Sequence, residues 1–429
     1  MRLTERVKRS IRSVGEKTSL NCIAELDPTA HDQAEALEEC GEKNLPLYGV
    51  PVLVKDNIDV MGLHTTAGSL ALEDNTAGSD APIVRNLRRN GAVILGKTNM
   101  TEFANYVTRG MPGGYSSRGG RVVHAVSPRL SVSGSSSGSA VAVAAGIVPM
   151  AVGTDTSFSI IACAQANGIC GLKPPAGALS GEGIIPIART LDSAGAMART
   201  VSDALKLYSA MRQDPLPEME PACPEGLRLA VNLANGETVP EGQVRFLRRF
   251  TERAAAAGAV LSELTQGPVP ELKTIMRWEF RPMLEAYLER AAASRKTLAE
   301  IVEYYESHPE TMMRYGDLYL REALDCTPGG LHGKPYLEAM ETRMKTRGRV
   351  AQEIAAYDAV IMTGPTNIMH FCGLPSVTVS SDEKDEKGVS RCVILYGLDE
   401  RRLYGAALLT EKLINTDPFS FDTSDPGIG

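Results

Sequence analysis

Three stretches of this chain place small hydroxyl and glycine residues, or a single cation, where a core would use larger apolar groups. The first is SGSSSGSA at residues 133–140, which runs straight into the series VAVAAG. A glycine and serine loop feeding a helix N-terminus gathers backbone N–H groups and hydroxyls at one place, a site suited to an anion or a reacting carbonyl. Taken alone, such a loop is also an ordinary turn or linker. The second is GTDTSFSII at residues 153–161. The third is Lys55, which ends the apolar run from Val50 to Val54 and precedes Asp56. A lysine placed there loses hydration, which lowers its pKa and makes a neutral amine available as a base; an ion pair with Asp56 would oppose that shift.

The elements that must hold these stretches are legible in the hydrophobic pattern. From about residue 48 to 215, strand-like runs (YGVPVLVKD, GAVILGK) alternate with helix-like ones (DAPIVRNLRRNG, GSAVAVAAGIV). Such alternation predicts an α/β fold with a central mixed β-sheet and helices on both faces. From about 216 to 355 the texture changes: LRLAVNL and AVLSEL predict strands, residues 242–257 a helix, and 270–355 is almost wholly helical in pattern. A final portion offers YDAVIMTGPT, LPSVTVS and RCVILYGL as strands, SDEKDEKG as a hairpin tip and ERRLYGAALLTEKLI as a closing helix. No repeat or long linker interrupts the pattern. One domain over 1–429 is expected, its core at about 45–215 and 356–429, with a helical elaboration on the substrate side at about 216–355.

YGVPVLVKDNID, GAVILGKTNMTEFA, SVSGSSSGSAVAVAAG, GTDTSFSII and GICGLKP stand in an order and spacing that resembles the amidase signature family, and RTLDSAGAMARTVSDA continues the match. The resemblance covers about residues 45–210, with a weaker tail at 356–415. It implies the amidase signature fold with a helical insertion, and hydrolysis of the carbon–nitrogen bond of a carboxamide through a serine acyl-enzyme. It also implies a serine nucleophile, a second serine whose peptide bond is cis, and a lysine base. Matched residue by residue, these roles fall on Ser159, Ser135 and Lys55. Backbone N–H groups of Thr156, Ser157, Phe158 and Ser159 would form the oxyanion hole, and Gly134, Ser136, Asp155 and Met111 would bind substrate.

The chemistry follows from what a serine hydroxyl lacks: it titrates far above neutrality and needs an adjacent base. The six histidines, His31, His64, His124, His308, His332 and His370, all lie outside the motifs, which disfavours a Ser-His-Asp triad. Neutral Lys55 would take a proton from Ser135, which takes one from Ser159. The proton then goes to the departing nitrogen, because an amide leaves poorly without it. Three positions depart from the family pattern. Ser157 and Phe158 stand where two glycines are usual, and Ile161 stands where an arginine is usual. Phe158, if the site needs a positive φ, costs about 1–2 kcal/mol and would tilt its N–H or fill part of the acyl pocket. Two other readings stay open: a glutamine-hydrolysing subunit of a tRNA-dependent amidotransferase, and a catalytically silent binding protein.

Other signals bound the answer. GAVILGKT, residues 91–98, matches the P-loop expression letter for letter, yet Ala92, Val93, Ile94 and Leu95 predict a buried strand instead of an exposed phosphate-cradling turn. A net charge of −7 lacks the clustered cations of a nucleic-acid footprint. The eight cysteines are scattered without a CxxC pair, favouring buried thiols in a reducing, cytoplasmic setting over disulfides or a zinc site. Leu3, Val7, Ile11 and Val14 share one face of a short basic amphipathic helix, and no window approaches a membrane span. The expected partner is a small-molecule amide, with no nucleic acid, no membrane, no metal and no organic cofactor; a homodimer is left open. Met276, Trp278, Phe280, Met283 and Tyr287, then Tyr304, Tyr305, Met312, Met313, Tyr315 and Tyr319, read as the core of the helical elaboration. Part of that set could line the substrate entrance. MPGGYSSRGG, residues 111–120, could be a loop over the site.

Overall fold

Runs rich in Val, Ile, Leu and Ala, the residues that fit a pleated surface buried on both sides, supply the strands of one large mixed sheet. The structure is a computed structural model that describes residues 2–232, 239–267, 269–270, 272–326, 330–362 and 367–415. The strands in chain order are β1 (Ile23–Leu26), β2 (Pro51–Lys55), β3 (Val93–Thr98), a small ribbon of β4 (Tyr115–Ser116) and β5 (Gly120–Arg121), then β6 (Met150–Asp155) and β7 (Cys170–Lys173). There follow β8 (Ser193–Ala198), β9 (Arg228–Asn232), β10 (Val260–Glu263), β11 (Ala359–Met362), β12 (Ser376–Lys384) and β13 (Ser390–Tyr396). Among the described residues the main sheet has 11 strands in the order β1-β3-β2-β6-β8-β7-β12-β13-β11-β9-β10.

The helices are α1 (Leu3–Glu16), α2 (Ala30–Cys40), α3 (Pro82–Arg89), α4 (Ser137–Ala144), α5 (Ile161–Asn167), α6 (Val201–Met211) and α7 (Glu241–Ala256). After them come α8 (Lys273–Arg290), α9 (Leu298–Ser307), α10 (Pro309–Met312), α11 (Leu318–Cys326), α12 (Lys334–Ile354), α13 (Asn367–Phe371) and α14 (Glu400–Ile414). They cover both faces of the sheet. One core layer holds Val52, Val54, Ile94 and Val152 with side chains of α3, α6, α7 and α14. The other holds Leu53, Leu95 and Ala151 with α4, α5 and α8 to α12. The texture change near residue 216 has two parts: β9 and β10 extend the same sheet, with β9 parallel to β11, while α8 to α12 form a helical layer on the second face.

The expected strands and helices fall within a few residues of their predicted bounds, except that residues 363–366 of YDAVIMTGPT and Leu233 lie outside the described residues. The SDEKDEKG hairpin has longer arms than its polarity suggests, because β12 continues to Lys384 before the turn. Val93–Thr98 is a strand whose six residues are all buried, as expected for GAVILGKT. The face of α1 buries Leu3 and Val7 but leaves Ile11 exposed. Of the eight cysteines, Cys22, Cys163, Cys170, Cys372 and Cys392 are buried. No described helix is long and apolar enough to cross a membrane.

Candidate active site

Side chains alternate faces along a strand, so Lys55 at the end of β2 projects on the same face as Leu53, toward α4 and α5. Its ammonium position is fully buried. Around Lys55 Nζ lie Ser135 Oγ at 2.6 Å, Thr154 Oγ1 at 2.8 Å, Ser136 Oγ at 3.0 Å and the Thr154 carbonyl oxygen at 3.3 Å. Among the described residues no carboxylate is within ion-pairing distance of Lys55. Burial lowers its pKa to about 7, opposed by the fields of Cys163, Asp155 and Asp192. Asp56, the residue expected to oppose that shift by pairing, turns instead to Lys97 at 3.7 Å, to the Thr66 hydroxyl and to the Gly68 N–H.

The glycine and serine loop meets β6 and the GTDTSFSII turn. Ser136 donates its hydroxyl to the Thr154 carbonyl at 2.9 Å and accepts the Thr154 N–H at 3.2 Å, which fixes the loop against β6. Ser135 touches both neighbours: its Oγ reaches Lys55, and its N–H donates to Ser159 Oγ over 3.1 Å. Gly134 lies tight against the turn, since a Cβ there would stand 3.3 Å from Ser159 Cα. Among the described residues no peptide bond is cis. The bond before Ser135, which the resemblance implies to be cis, is therefore trans, the form that avoids the roughly 3 kcal/mol of a non-proline cis bond. With that geometry it is the Ser135 N–H, not its hydroxyl, that faces Ser159 Oγ.

Asp155 closes β6 and organises the turn. Its Oδ2 accepts the Ile160 N–H at 2.6 Å and the Ile161 N–H at 3.3 Å, while Oδ1 lies 3.0 Å from His370 Nε2. Burial alone would raise its pKa, but His370, Lys173 and the Ile160 N–H outweigh it and hold the carboxyl down at about 2. Phe158 does adopt a positive φ, 74°. Its N–H, expected in the oxyanion hole, donates to His370 Nε2 at 2.9 Å, and its ring packs on that imidazole with centroids 4.5 Å apart. The Phe158 N–H thus has an acceptor in the imidazole.

Two cavities adjoin this turn. One of about 430 Å³ has Asn57, Thr154, Thr156 and Asp192 at its base and Glu182, Arg189 and Arg290 toward solvent. Thr156 donates its hydroxyl to Asp192 Oδ1 at 2.5 Å; burial raises the Asp192 carboxyl to about 7 against that bond and the Ala188 and Ile187 N–H groups. The other, of about 270 Å³, is lined by Tyr106, Ser157, Phe158, Leu272, Met276 and Tyr319 among others. They lie on consecutive residues of both walls, Ala104 and Asn105 on one, Thr156 and Ser157 on the other.

Of the expected substrate-binding residues, Gly134 abuts Ser159 and Ser136 holds Lys55. Asp155 is committed to the turn and His370. Met111 is a core side chain, 7% exposed, because its long apolar chain packs among α4-side residues. The aromatic and Met set of the helical layer divides: Phe280, Tyr305 and Met312 are core, while Met276 and Tyr319 face the second cavity. The 111–120 loop packs beside the serine loop, a Cβ at Gly113 meeting the Ser133 carbonyl oxygen at 2.3 Å.

Three positions escaped the sequence reading. His370 arrives from α13, and its only sign was a histidine in the apolar string NIMHFCG. Arg343 of α12 donates to the Phe371 carbonyl at 2.8 Å and the Thr190 carbonyl at 2.7 Å; Glu279 of α8 accepts the Thr190 N–H at 3.0 Å and hydroxyl at 2.6 Å. The helical layer thereby clamps the segments carrying His370 and Asp192.

A model of the Amidase family matches residues 2–371. The chain is 31% identical over 419 residues to a probable amidase of Arabidopsis thaliana, covering 88% of this chain and 80% of that protein. It is 41% identical over 204 residues to an indoleacetamide hydrolase of Pseudomonas syringae pv. syringae, covering 48% of this chain and 44% of that protein. A peptide amidase from Stenotrophomonas maltophilia superposes with a TM-score of 0.85 at 29% identity, over 96% of this chain and 93% of that one.

Proposed function

The chain belongs to the amidase family, hydrolases of carbon–nitrogen bonds, and from that premise we propose that Ser159 is its nucleophile, Ser135 the proton relay and Lys55 the base. The observation that carries this assignment is the placement of Ser135 between the other two, its Oγ 2.6 Å from Lys55 Nζ and its N–H 3.1 Å from Ser159 Oγ, in a buried nest of hydroxyls. A lysine lowered to about 7 holds a large neutral fraction at neutral pH and can accept the Ser135 proton. The Ser135 hydroxyl must then come within reach of Ser159 Oγ, one local rearrangement away. Ser159 attacks the amide carbonyl, the N–H groups of Thr156, Ser157 and Ser159 receive the oxyanion, and the relayed proton goes to the leaving nitrogen. Water completes the cycle by hydrolysing the ester.

For the substrate, the cavity beside Phe158, Tyr106, Met276 and Tyr319 suits an apolar or aromatic acyl group. The partial likeness to an indoleacetamide hydrolase points the same way. Arg189 and Arg290, which form no ion pair among the described residues, face the adjoining cavity and suit a polar or anionic distal group.

The test is labelling with a fluorophosphonate beside turnover of indole-3-acetamide, anilides and peptide amides. Wild type is expected to label and turn over at least one aryl-bearing amide, and Ser159→Ala to do neither. No labelling of wild type sinks the assignment in favour of a silent binding protein. Ammonia release from glutamine only with a second protein present would replace the substrate reading with the amidotransferase one.

A further inference from the structure

His370 lies 212 residues beyond Phe158 in sequence, yet its Nε2 sits 2.9 Å from the Phe158 nitrogen and 3.0 Å from Asp155 Oδ1, with its side chain and that of Asp155 at most 1% exposed. One imidazole nitrogen therefore faces a donor and an acceptor, and it can serve one at a time. With the proton on Nδ1, Nε2 accepts the Phe158 N–H and turns its lone pair toward a carboxylate oxygen that has no hydrogen bond of its own. With a proton on Nε2, the ring donates to Asp155 and the Phe158 N–H is left without its acceptor.

We propose that His370 is a positioning residue for the Ser159 turn, its Nε2 selecting whether the Phe158 N–H is held by the imidazole or freed for the oxyanion. This rests on Ser159 being the nucleophile. Ile161 brings no cation to the turn, and Phe158, at φ 74°, gives its N–H to the imidazole. A buried carboxylate still needs a donor, and here the imidazole supplies it from another part of the chain. Asp155, whose carboxyl is held down at about 2, competes with the Phe158 N–H for the same ring nitrogen. An oxyanion growing on the Ser159 adduct offers the Phe158 N–H the acceptor it has lost. Bound intermediate and carboxylate then favour the same protonation of the ring. The imidazole is held for this by packing on Phe158 and by Arg343, which grips the neighbouring Phe371 carbonyl.

The experiment pairs His370→Met with His370→Gln and follows kcat and KM separately on the best amide. Met removes both contacts; Gln keeps a donor and an acceptor at the Nε2 position. Met takes away the donor to the buried Asp155 carboxylate, and with it the hold on the turn that aims the oxyanion N–H groups; one such donor contributes roughly 10²-fold in kcat, so Met is expected to lose about that much with KM within about twofold, and Gln to recover most of it. A folded Met variant with wild-type kcat, or equal losses in Met and Gln, overturns the proposal. Independently of variant folding, nitrogen NMR of ¹⁵N-histidine-labelled wild type bound to an aryl boronic acid should show Nε2 protonated in the adduct, assigned by its absence from the Gln variant. An unprotonated Nε2 in a formed adduct also overturns it. Failure of wild type to turn over amides or form any adduct removes the Ser159 premise itself, a result distinct from an active enzyme indifferent to His370.

Discussion

Lys55 and Lys97 end two adjacent parallel strands, both follow apolar runs, and both are fully buried. Their surroundings are opposite in kind. Lys55 sits among hydroxyls and one carbonyl, whereas Lys97 donates to the His64 carbonyl at 2.7 Å and the Thr65 hydroxyl at 3.1 Å, with Asp56 at 3.7 Å. Burial lowers both amines; for Lys97 the carboxylates of Asp56, Asp59 and Glu25 pull back. The two also point to opposite faces of the sheet. The pairing of β2 with β3 slips by one residue after Val52, so Gly96 meets Leu53 and Lys97 meets Val54. Such a bulge reverses the alternation downstream of it. Gly96 permits it: φ is 149°, and a Cβ would stand 2.2 Å from the Glu25 carbonyl oxygen. Identical chemistry at the ends of neighbouring strands thus becomes a candidate base on one face and a structural cation on the other.

The contrast breaks most sharply at the lysines themselves. Lys55→Met is expected to lower kcat by about 10³–10⁴-fold with a melting temperature no lower than wild type, because it replaces a poorly solvated amine. Lys97→Met should do the reverse: leaving the buried Asp56 with only Arg118, at 4.0 Å, costs about 3–5 kcal/mol of stability, read in a denaturant titration, while kcat per folded molecule stays within a few-fold. Comparable kcat losses in both variants would erase the distinction.

A second effect is pH dependence. The base must be the neutral amine, so kcat/KM should fall as pH drops through about 7, the value to which burial brings Lys55. An acid limb far below this would argue for a carboxylate base.

Smaller is the cavity effect. Arg189→Ala with Arg290→Ala should raise KM about tenfold, the equivalent of about 1.4 kcal/mol, for amides carrying a distal carboxylate and leave neutral amides unchanged. Smallest is the clamp: Glu279→Gln, which weakens a charge-assisted hold on Thr190, should cost about 1–2 kcal/mol of stability and shift kcat only slightly.

How much of this was legible differs between fold and site. Strands such as β2 and β3 were plain because consecutive Val, Ile and Leu have few alternatives to a doubly covered strand. The serine loops were plain because short hydroxyl runs interrupt that pattern. That β9 and β10 join the same sheet was not, since sheet order depends on long-range pairing that local composition does not encode. Nor was His370: a single histidine in an apolar segment looks like any core histidine until the chain brings it to Asp155.

The order of the motifs, the candidate serines, the presence of a lysine after each of two apolar strands and the oddity of Phe158 were all determined by the residues themselves, because they depend only on local type and spacing. Which lysine meets the serines, which group of Ser135 faces Ser159, and what accepts the Phe158 N–H were decided by tertiary structure. Each turns on where a strand slips register or where a segment some two hundred residues away comes to rest, and a hydrogen bond reads distances in space to within a few tenths of an ångström.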